Sequence, residues 1–496
     1  MQTKKNLKDR VIVIGSGFAG LSVATHLAHE GYEVEVFEKN DSLGGRARKF
    51  QQDGFTFDMG PSWYWMPDVF EQYFGKFGKS VADYYDLRRL DPSYRVYFAK
   101  DHKMDLPASM EGMYKLFEKY EPGSSKNLKK FLEEASYKYE VGINDLVYKP
   151  GQSLTEFLDM RVIKGAFRLQ LLNSLSSHVR KYFKNPYLIE LLEFPVLFLG
   201  AKASKTPALY SLMNYADIVL GTWYPMGGMH KIVEAMVSLA EEKGVKFHTS
   251  ANVGKILIQN GKTNGVKLES GAEYYSDYVV SGADYHHTET KMLPEKSRNY
   301  SDQYWEKRTM APSSILYYVG LNKRIDGILH HTLFFDTDFE KHAGQIYDSP
   351  EWPEEPLFYV SATSVTDETV APEGCENIFI LIPTAPGLMD DQKIKDKYFE
   401  MVIKRMENTF EQNIRDHVIF RRDFACSDFM HDYNSFKGNA YGLANTLNQT
   451  AVLKPSLKNK RVKNLFYTGQ LTVPGPGVPP SLISGAVVAK EVMKAS

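Results

Sequence analysis

Glycine occupies the first, third and sixth positions of the segment Gly15-Ser16-Gly17-Phe18-Ala19-Gly20, near the start of the chain. Gly15 permits a tight turn, Gly17 lets a pyrophosphate approach the backbone, and Gly20 lets a helix pack closely on a strand. A helix that begins at such a turn points its free N–H groups at the phosphates. The spacing therefore predicts a dinucleotide-binding turn, and all six residues are candidate cofactor contacts.

The flanking elements place this turn in the expected context. The apolar run Val11–Ile14 predicts a buried strand before it, Leu21–Glu30 predicts a helix after it, and the alternating Glu33–Phe37 predicts a second strand. Glu38 ends that second strand, where a carboxylate accepts hydrogen bonds from a ribose diol and would repel a 2′-phosphate. Glu38, with the adjoining Lys39, is therefore predicted to bind the cofactor, and NADP is disfavoured.

A second glycine segment, Asp41-Ser42-Leu43-Gly44-Gly45-Arg46-Ala47, follows this strand. It resembles the GG-R continuation of the flavoprotein family that includes monoamine oxidase, protoporphyrinogen oxidase, Rab GDI and the carotenoid desaturases. The resemblance implies that the cofactor is FAD, bound non-covalently. It also implies that Gly45 lets the chain pass beside the phosphates and that Arg46 donates hydrogen bonds to them.

Two further matches belong to the same resemblance. The segment Phe57–Ser62 resembles the family's D-x-G-P segment near the flavin ring, which implies cofactor contacts for Gly60, Pro61 and Ser62. Val253 matches the position whose backbone usually holds the adenine.

The C-terminal segment 464–481 resembles the C-terminal signature of bacterial-type phytoene desaturases. Six positions match that signature: Gly469, Thr472, Pro474, Gly475, Gly477 and Val478. Four positions depart from it and put the particular substrate in doubt: Gln470, Leu471, Val473 and Pro476. The segments Tyr224–Gly228 and Ser281–Asp284 also look like landmarks of these desaturases.

The same resemblance implies that the last loop and helix lie against the flavin. Gly469, Val478, Pro479 and Ser481 are the predicted contacts. A helix that starts near Pro480-Ser481 would direct free N–H groups at the flavin pyrimidine and stabilise the anion of the reduced flavin. A purely structural role for the prolines stays open, since proline is common at helix starts.

The order of elements predicts an α/β fold, a doubly wound, Rossmann-like FAD-binding domain with an inserted mixed α+β substrate domain. In this interpretation residues 1–70, 225–290 and 455–496 form the discontinuous FAD-binding domain. Residues 71–224 and 291–454 form the substrate and membrane-facing domain. The boundaries follow changes between β-rich runs and long, charged, helix-like stretches.

The resemblance implies an FAD-dependent oxidoreductase of CH–CH groups in carotenoid biosynthesis, with phytoene-to-lycopene dehydrogenation as the favoured reaction. Hydride leaves an allylic methylene for the flavin, a proton leaves the neighbouring carbon, and oxygen or a quinone reoxidises the cofactor. The substrate is a long apolar polyene, whose site must be long and apolar. No protein acid or base is predicted, and His178 and Arg180 are candidates for stabilising charge.

Three alternatives stay open. A later carotenoid enzyme would be a 1-hydroxycarotenoid 3,4-desaturase, a diapophytoene desaturase or a carotene isomerase. A flavin amine oxidase would need an aromatic cage for an amine. A non-enzymatic prenyl-lipid carrier of the GDI type would tolerate a degraded FAD site, whereas the glycine turn, Glu38 and Gly45-Arg46 are all intact here.

Composition excludes several other classes. The chain has 496 residues with 60 basic and 61 acidic side chains, so its net charge of −1 creates no field that would recruit nucleic acid. Its two cysteines, Cys375 and Cys426, exclude a disulfide framework and fit a reducing cytoplasm. The histidine pairs His286-His287 and His330-His331 have no partners at metal-ligand spacing, so no metal is expected.

The stretch Arg161 to Lys184 mixes basic and apolar residues in an amphipathic pattern. This pattern fits a helix that lies on an anionic membrane, and equally a helix that packs inward with a solvated basic face. Since no run approaches the length of a membrane span, the expectation is a cytoplasmic protein that is peripheral on the inner face of the cell membrane.

Overall fold

The computed structural model describes residues 9–153 and 173–496. Its first sheet has five parallel strands, in the spatial order Leu465–Tyr467, Tyr278–Ser281, Arg10–Ile14, Glu33–Phe37 and Lys246–His248. The central strand is apolar on both faces and buried, as expected for a parallel sheet that is covered on both sides. Ile12 pairs with Val279 on one side and with Glu35 on the other.

Two helices from opposite ends of the chain cover this sheet together. Phe18–His29 begins directly at the glycine turn, and Val478–Met493 packs along it. A Cβ on Gly485 would lie 2.5 Å from the Ala19 carbonyl oxygen, and Ser22 Oγ donates to the Leu482 carbonyl at 2.7 Å. The close contact brings the last loop of the chain beside the first turn.

The second sheet has seven strands and is antiparallel apart from one parallel pair. Its order is Val418–Phe424, Ser313–Leu321, Glu376–Thr384, Phe358–Ser361, His331–Phe334, Tyr94–Ala99 and His102–Leu106. The parallel pair joins His331–Phe334 to Tyr94–Ala99. Successive side chains of a strand point to opposite faces of this sheet and pack into different hydrophobic cores. Tyr317 packs with the long helix Gln392–Phe410. Tyr318 packs on the opposite face, where its hydroxyl donates to the Met59 carbonyl at 2.7 Å.

Smaller sheets and the remaining helices complete the fold. The smaller sheets pair Lys49–Gln52 with Phe55–Asp58, Leu87–Arg89 with Trp223–Pro225, and Val253–Gln259 with Lys262–Leu268 and Glu273–Tyr275. The further α-helices are Pro67–Gly75, Met110–Tyr120, Ser124–Val141, Leu175–Tyr182, Pro186–Glu193, Leu212–Tyr215, His230–Glu242, Tyr285–His287, Asp302–Glu306, Phe339–Tyr347 and Cys426–Tyr433.

The architecture confirms the predicted α/β class with a Rossmann-like domain. The parallel sheet draws its strands from residues 10–37, 246–281 and 465–467, and the seven-stranded sheet draws its strands from residues 94–106 and 313–424. This distribution supports the division into two domains that we propose. In the described parts of the chain, none of the helices combines the length and apolar character needed to cross a bilayer.

Candidate active site

The glycine turn has the geometry that its spacing predicts. Gly15 adopts a φ of +89°, and a Cβ on Gly20 would lie 2.0 Å from the Gly15 carbonyl oxygen. Gly17 differs, because no atom lies within 4 Å of where its Cβ would stand. Gly15 and Gly20 are therefore required for the turn itself, while Gly17 keeps the space above the turn open.

Glu38 lies beside this turn with its carboxylate buried. It accepts hydrogen bonds from the backbone N–H of Ser16 at 2.9 Å, from Ser16 Oγ at 2.6 Å and from the Asn40 N–H at 3.0 Å. The backbone N–H of Ala251 donates to the Glu38 carbonyl at 2.8 Å, two residues before buried Val253. Glu38 and Val253, both predicted cofactor residues, thus lie on adjacent segments.

Lys39 points elsewhere. Its ammonium is exposed and donates to the backbone carbonyl of His431. Its cofactor contact stays a prediction.

The second glycine segment folds directly onto the first. A Cβ on Gly45 would lie 3.2 Å from Gly17 Cα, and the Gly44 N–H donates to the Ser16 carbonyl at 3.2 Å. A Cβ on Gly60 would in turn lie 2.4 Å from the Arg46 carbonyl oxygen. Three motifs that are separate in sequence therefore share one cluster, because each contact requires a residue without a side chain.

Arg46 carries a half-buried positive charge at this cluster. Its guanidinium donates to Ser435 Oγ at 3.2 Å and to the Asn439 carbonyl at 3.4 Å. The side-chain oxygen of Gln470 accepts two further bonds from it, at 3.0 and 3.2 Å. Its Nε finds no acceptor among the described residues, and burial lowers the pKa of Arg46 against the raising effect of Asp284. Gln470, a departure from the family signature, thus holds Arg46.

The C-terminal loop meets the same cluster. The Gly469 N–H donates to Ser484 Oγ at 3.0 Å, and Thr472 Oγ1 donates to the Gly469 carbonyl at 2.8 Å. A Cβ on Gly469, whose φ is +109°, would lie 3.8 Å from Ala19 Cβ. The loop therefore runs within van der Waals distance of the glycine turn.

The last helix starts differently from the prediction. It begins at Val478 after Gly477, instead of near Pro480-Ser481. Pro479 and Pro480 have no N–H, and the Ser481 N–H already donates to the Gly477 carbonyl at 3.0 Å. The expectation of several free N–H groups is therefore wrong, because only Val478 keeps one in the first turn.

Asp58, in the D-x-G-P segment, has a role that the sequence did not reveal. Its carboxylate accepts the N–H groups of Met229 at 2.7 Å and His230 at 2.8 Å, so it caps the helix His230–Glu242. Gly228 approaches closely, since a Cβ there would lie 2.8 Å from Asp58 Oδ2. The desaturase landmark Tyr224–Gly228 is thus the partner of the D-x-G-P segment.

The buried Asp58 cap predicts that the stability of the fold depends on pH. Burial raises the pKa of Asp58 to about 6 against the two backbone hydrogen bonds, whereas in the unfolded chain the carboxyl group has its ordinary pKa of 3.8. Between these pH values the folded protein holds a proton that the unfolded chain has released. The contribution of Asp58 to stability is therefore greatest below pH 4 and decreases by about 2–3 kcal/mol as the pH rises through 6.

Urea unfolding of wild type and Asp58→Asn across pH 4–7 measures this effect. We expect the wild-type advantage over the variant to shrink with rising pH, because all other titrations cancel in the difference. A difference that stays flat would contradict the buried cap.

An apolar cavity of about 60 Å³ lies on the inner face of the seven-stranded sheet. Aromatic and aliphatic side chains dominate its wall, among them Phe194, Leu333, Phe335, Phe339, Tyr359 and Leu381. Trp63, which directly follows Ser62, packs against Tyr359 with ring centroids 5.4 Å apart and against Phe194 at 6.4 Å. The segment predicted to lie near the flavin therefore joins the wall of this cavity.

The histidines around the cavity are neutral. His331 stacks on Trp63 with centroids 4.2 Å apart, and its Nδ1 lies 2.6 Å from the Tyr359 hydroxyl. Burial lowers the pKa of His331 far below its ordinary value. His342 accepts the Leu357 N–H at Nδ1 and so donates from Nε2 to the Pro383 carbonyl, with its pKa lowered to about 4 by burial. No histidine charge polarises this site near neutral pH.

The candidate charge-stabilising residues lie in another cluster. His178 is buried, with Nε2 3.4 Å from Lys138 Nζ and 3.6 Å from the Glu134 carboxylate. Burial and the Lys138 charge lower the pKa of His178 to about 3, so it carries no charge near pH 7. Arg180 donates to the Glu193 carboxylate. Neither belongs to the cavity wall, and a catalytic role for them stays a prediction.

The amphipathic stretch belongs to the described residues only from residue 173 to residue 184. Residues 161–172 of it lie outside the described residues. In the part of the chain that the structure describes, no three His, Cys, Asp or Glu side chains form a group suited to a metal ion.

Comparison with known proteins identifies the family. The family model "Flavin containing amine oxidoreductase" matches residues 18–493. A carotenoid 3,4-desaturase of Haloarcula japonica is 42% identical over 489 residues, which cover 98% of both chains. A zeta-carotene-forming phytoene desaturase of Myxococcus xanthus is 33% identical and covers 98% of this chain and 94% of its own. The chain belongs to the carotenoid desaturases, within the flavin-containing amine oxidoreductases.

The fold agrees with this family. An oxidoreductase from Methanosarcina mazei superimposes with a TM-score of 0.60 at 17% identity, covering 98% of this chain and all of its own. Membership of this family makes the protein an FAD-dependent oxidoreductase that acts on CH–CH groups, as predicted, with FAD as its cofactor.

The residues described above fit FAD. The open space above Gly17 would admit a pyrophosphate, the half-buried Arg46 would offer a cation whose Nε has no acceptor among the described residues, and Glu38 would offer a carboxylate to a ribose. When bound, the flavin supplies the acceptor for a hydride. These three residues are the part of the site that we assign to holding it.

Proposed function

We propose that the protein introduces a double bond into a long carotenoid, a part of which packs against the wall of the apolar cavity, with 3,4-desaturation as its reaction. The observation that carries this proposal is the cavity itself, whose wall is apolar and aromatic and which joins the D-x-G-P segment through Trp63. The 42% identity to a carotenoid 3,4-desaturase along nearly the whole chain supports the choice of reaction.

The chain contributes to this reaction by holding and shielding the substrate. A polyene offers no hydrogen-bonding groups, so its position is fixed by packing against side chains such as Phe335, Phe339 and Leu381. The dry wall excludes water from the reacting carbons. The aromatic rings of the wall, Tyr359 among them, stabilise the positive charge that develops next to the polyene as hydride leaves.

A second candidate is dehydrogenation of phytoene toward lycopene. The 33% identity to a phytoene desaturase over 98% of this chain favours it. The two candidates differ in the substrate: phytoene carries a short conjugated system, whereas a 3,4-desaturase receives a polyene that is already extended.

The lipid solubility of the substrate bears on where the protein acts. A carotenoid is dissolved in lipid, so we propose that the protein takes it up while bound to the membrane surface. We also propose that oxygen or a quinone reoxidises the cofactor.

Anaerobic mixing of the purified, FAD-loaded protein with each substrate tests the proposal. A 1-hydroxycarotenoid with a saturated 3,4 bond should bleach the flavin and give the 3,4-unsaturated product on chromatography, while phytoene should leave the flavin oxidised. Rapid bleaching by phytoene with formation of lycopene would select the second candidate. Bleaching by neither carotenoid would overturn both.

A further inference from the structure

Lys454 is a buried lysine without a partner. It follows the short turn Ala451–Leu453, is 5% exposed, and its Nζ finds no hydrogen-bond acceptor among the described residues. Desolvation lowers its pKa to about 7, and no nearby carboxylate opposes this effect in the described structure. Lys138, also a buried lysine, differs because it donates to the Ala208 carbonyl and to Ser211 Oγ, both at 3.1 Å.

Asn445 is likewise buried with a polar atom that makes no hydrogen bond to the described residues, but this atom is an acceptor and not a donor. Its side chain is buried, and its Oδ1 accepts no hydrogen bond from the described residues. A Cβ on Gly475 would lie 2.8 Å from Asn445 Oδ1 and 3.2 Å from Lys454 Nζ. An unused acceptor and an unused donor therefore meet at the backbone of Gly475.

Gly475 belongs to the loop that leads into the last helix. Two residues later Gly477 precedes Val478–Met493, and that helix packs on the glycine turn through Gly485 and Ala19. Gly475 has a φ of +134°, which only glycine adopts readily. Through Gly475, Lys454 and Asn445 therefore lie beside the loop that leads into the helix packed on the glycine turn.

An unpaired ammonium and an unpaired amide oxygen are both costly to bury. The folded chain would lose little by placing hydrophobic residues here, so the pair indicates a group that completes it. The pyrimidine edge of a flavin presents a carbonyl oxygen, an N–H and a second carbonyl oxygen in a row. This edge supplies an acceptor for the lysine and a donor for the asparagine.

We propose that Lys454 and Asn445 bind the pyrimidine edge of the flavin, with Lys454 donating to a ring carbonyl and Asn445 Oδ1 accepting from the ring N–H. The ammonium then stabilises the negative charge that the ring gains on reduction, which the proline-rich helix start cannot do alone. The inference rests on FAD binding and requires no particular carotenoid.

Sulfite binding tests the inference without any carotenoid. Sulfite adds to the flavin ring and leaves negative charge on the pyrimidine, so its affinity reports positive charge at that edge. In the full-length, FAD-loaded protein, Lys454→Met should weaken sulfite binding by about tenfold or more, the effect of one charge-assisted hydrogen bond. Asn445→Asp should weaken it as well, because the new carboxylate neutralises Lys454.

Lys458→Met is the matched control. Lys458 lies in the same segment and pairs with Glu491 at 2.8 Å, so its removal deletes a charge of the same sign away from Gly475. Sulfite affinity should equal that of wild type. Wild-type sulfite affinity in Lys454→Met with FAD bound would overturn the inference.

Thermal unfolding provides a second test if Lys454→Met binds FAD too weakly for sulfite titration. Without FAD, Lys454→Met should melt at or above the wild-type midpoint, because an unpartnered buried charge is gone. With FAD, its midpoint should rise by less than that of wild type. A lower FAD-free midpoint with a wild-type gain from FAD would assign Lys454 a structural role and overturn the inference.

Discussion

Replacement of Gly17 by alanine should weaken FAD binding by about a hundredfold or more while leaving the folded protein as stable as wild type. Gly17 adopts a φ of −65° and a ψ of 171°, which alanine also adopts, and its Cβ would meet no atom within 4 Å. The methyl group would instead occupy the space into which a pyrophosphate must approach. Exclusion of the pyrophosphate from the backbone N–H groups of the turn would weaken FAD binding to this extent.

Titration of the FAD-free variant with FAD, followed by flavin fluorescence, measures this loss. Gly20→Ala is the contrasting variant: its Cβ would lie 2.0 Å from the Gly15 carbonyl oxygen, so it should destabilise the fold itself by about 3 kcal/mol or prevent folding. If Gly17→Ala bound FAD as tightly as wild type, the pyrophosphate would lie elsewhere.

The elements around this turn could be read from sequence because their signals are local. The predicted strand Glu33–Phe37 is found with the same bounds, and the predicted Val11–Ile14 extends by one residue to Arg10. The first helix begins at Phe18, since the last residues of the glycine turn already form its first turn. Glycine spacing and apolar periodicity are sufficient for such units.

The start of the last helix was misplaced although a local signal was present. Proline is favoured in the first turn of a helix, where its missing N–H has no partner to lose. Pro479 and Pro480 therefore place the start at Val478. The same prolines remove the N–H groups that the sequence interpretation assigned to the flavin.

Contacts between distant segments could not be inferred from one sequence. The Asp58 carboxylate accepts the Met229 N–H across 171 residues of chain. Gln470 meets Arg46 only because the last strand joins the first sheet. Lys454 indicates a binding role only through its burial without a hydrogen-bond partner among the described residues, which is a property of the folded chain. Resemblance to a family supplied the positions of the motifs, whereas the three-dimensional contacts gave each residue its role.

Replacement of Ala343 by phenylalanine should block carotenoid conversion without affecting FAD. Ala343 lies in the helix Phe339–Tyr347, is 4% exposed and faces the apolar cavity. A phenyl ring there fills space that the polyene needs, and displacement of the reacting carbons by about 1 Å lowers the rate by about a hundredfold. Overpacking should cost about 1–3 kcal/mol of stability, so the variant should still fold.

Lys341→Phe is the matched control, since it adds the same side chain on the exposed face of the same helix, at the cost of a surface ion pair with Glu354. Its kcat/KM for the carotenoid should stay near that of wild type, because surface pairs contribute little. The flavin spectrum should be unchanged in both variants, which separates a blocked substrate from a lost cofactor. Wild-type kcat/KM in Ala343→Phe would place the polyene outside this cavity, because a substrate packed against Phe339 and Leu381 cannot share that space with a second ring.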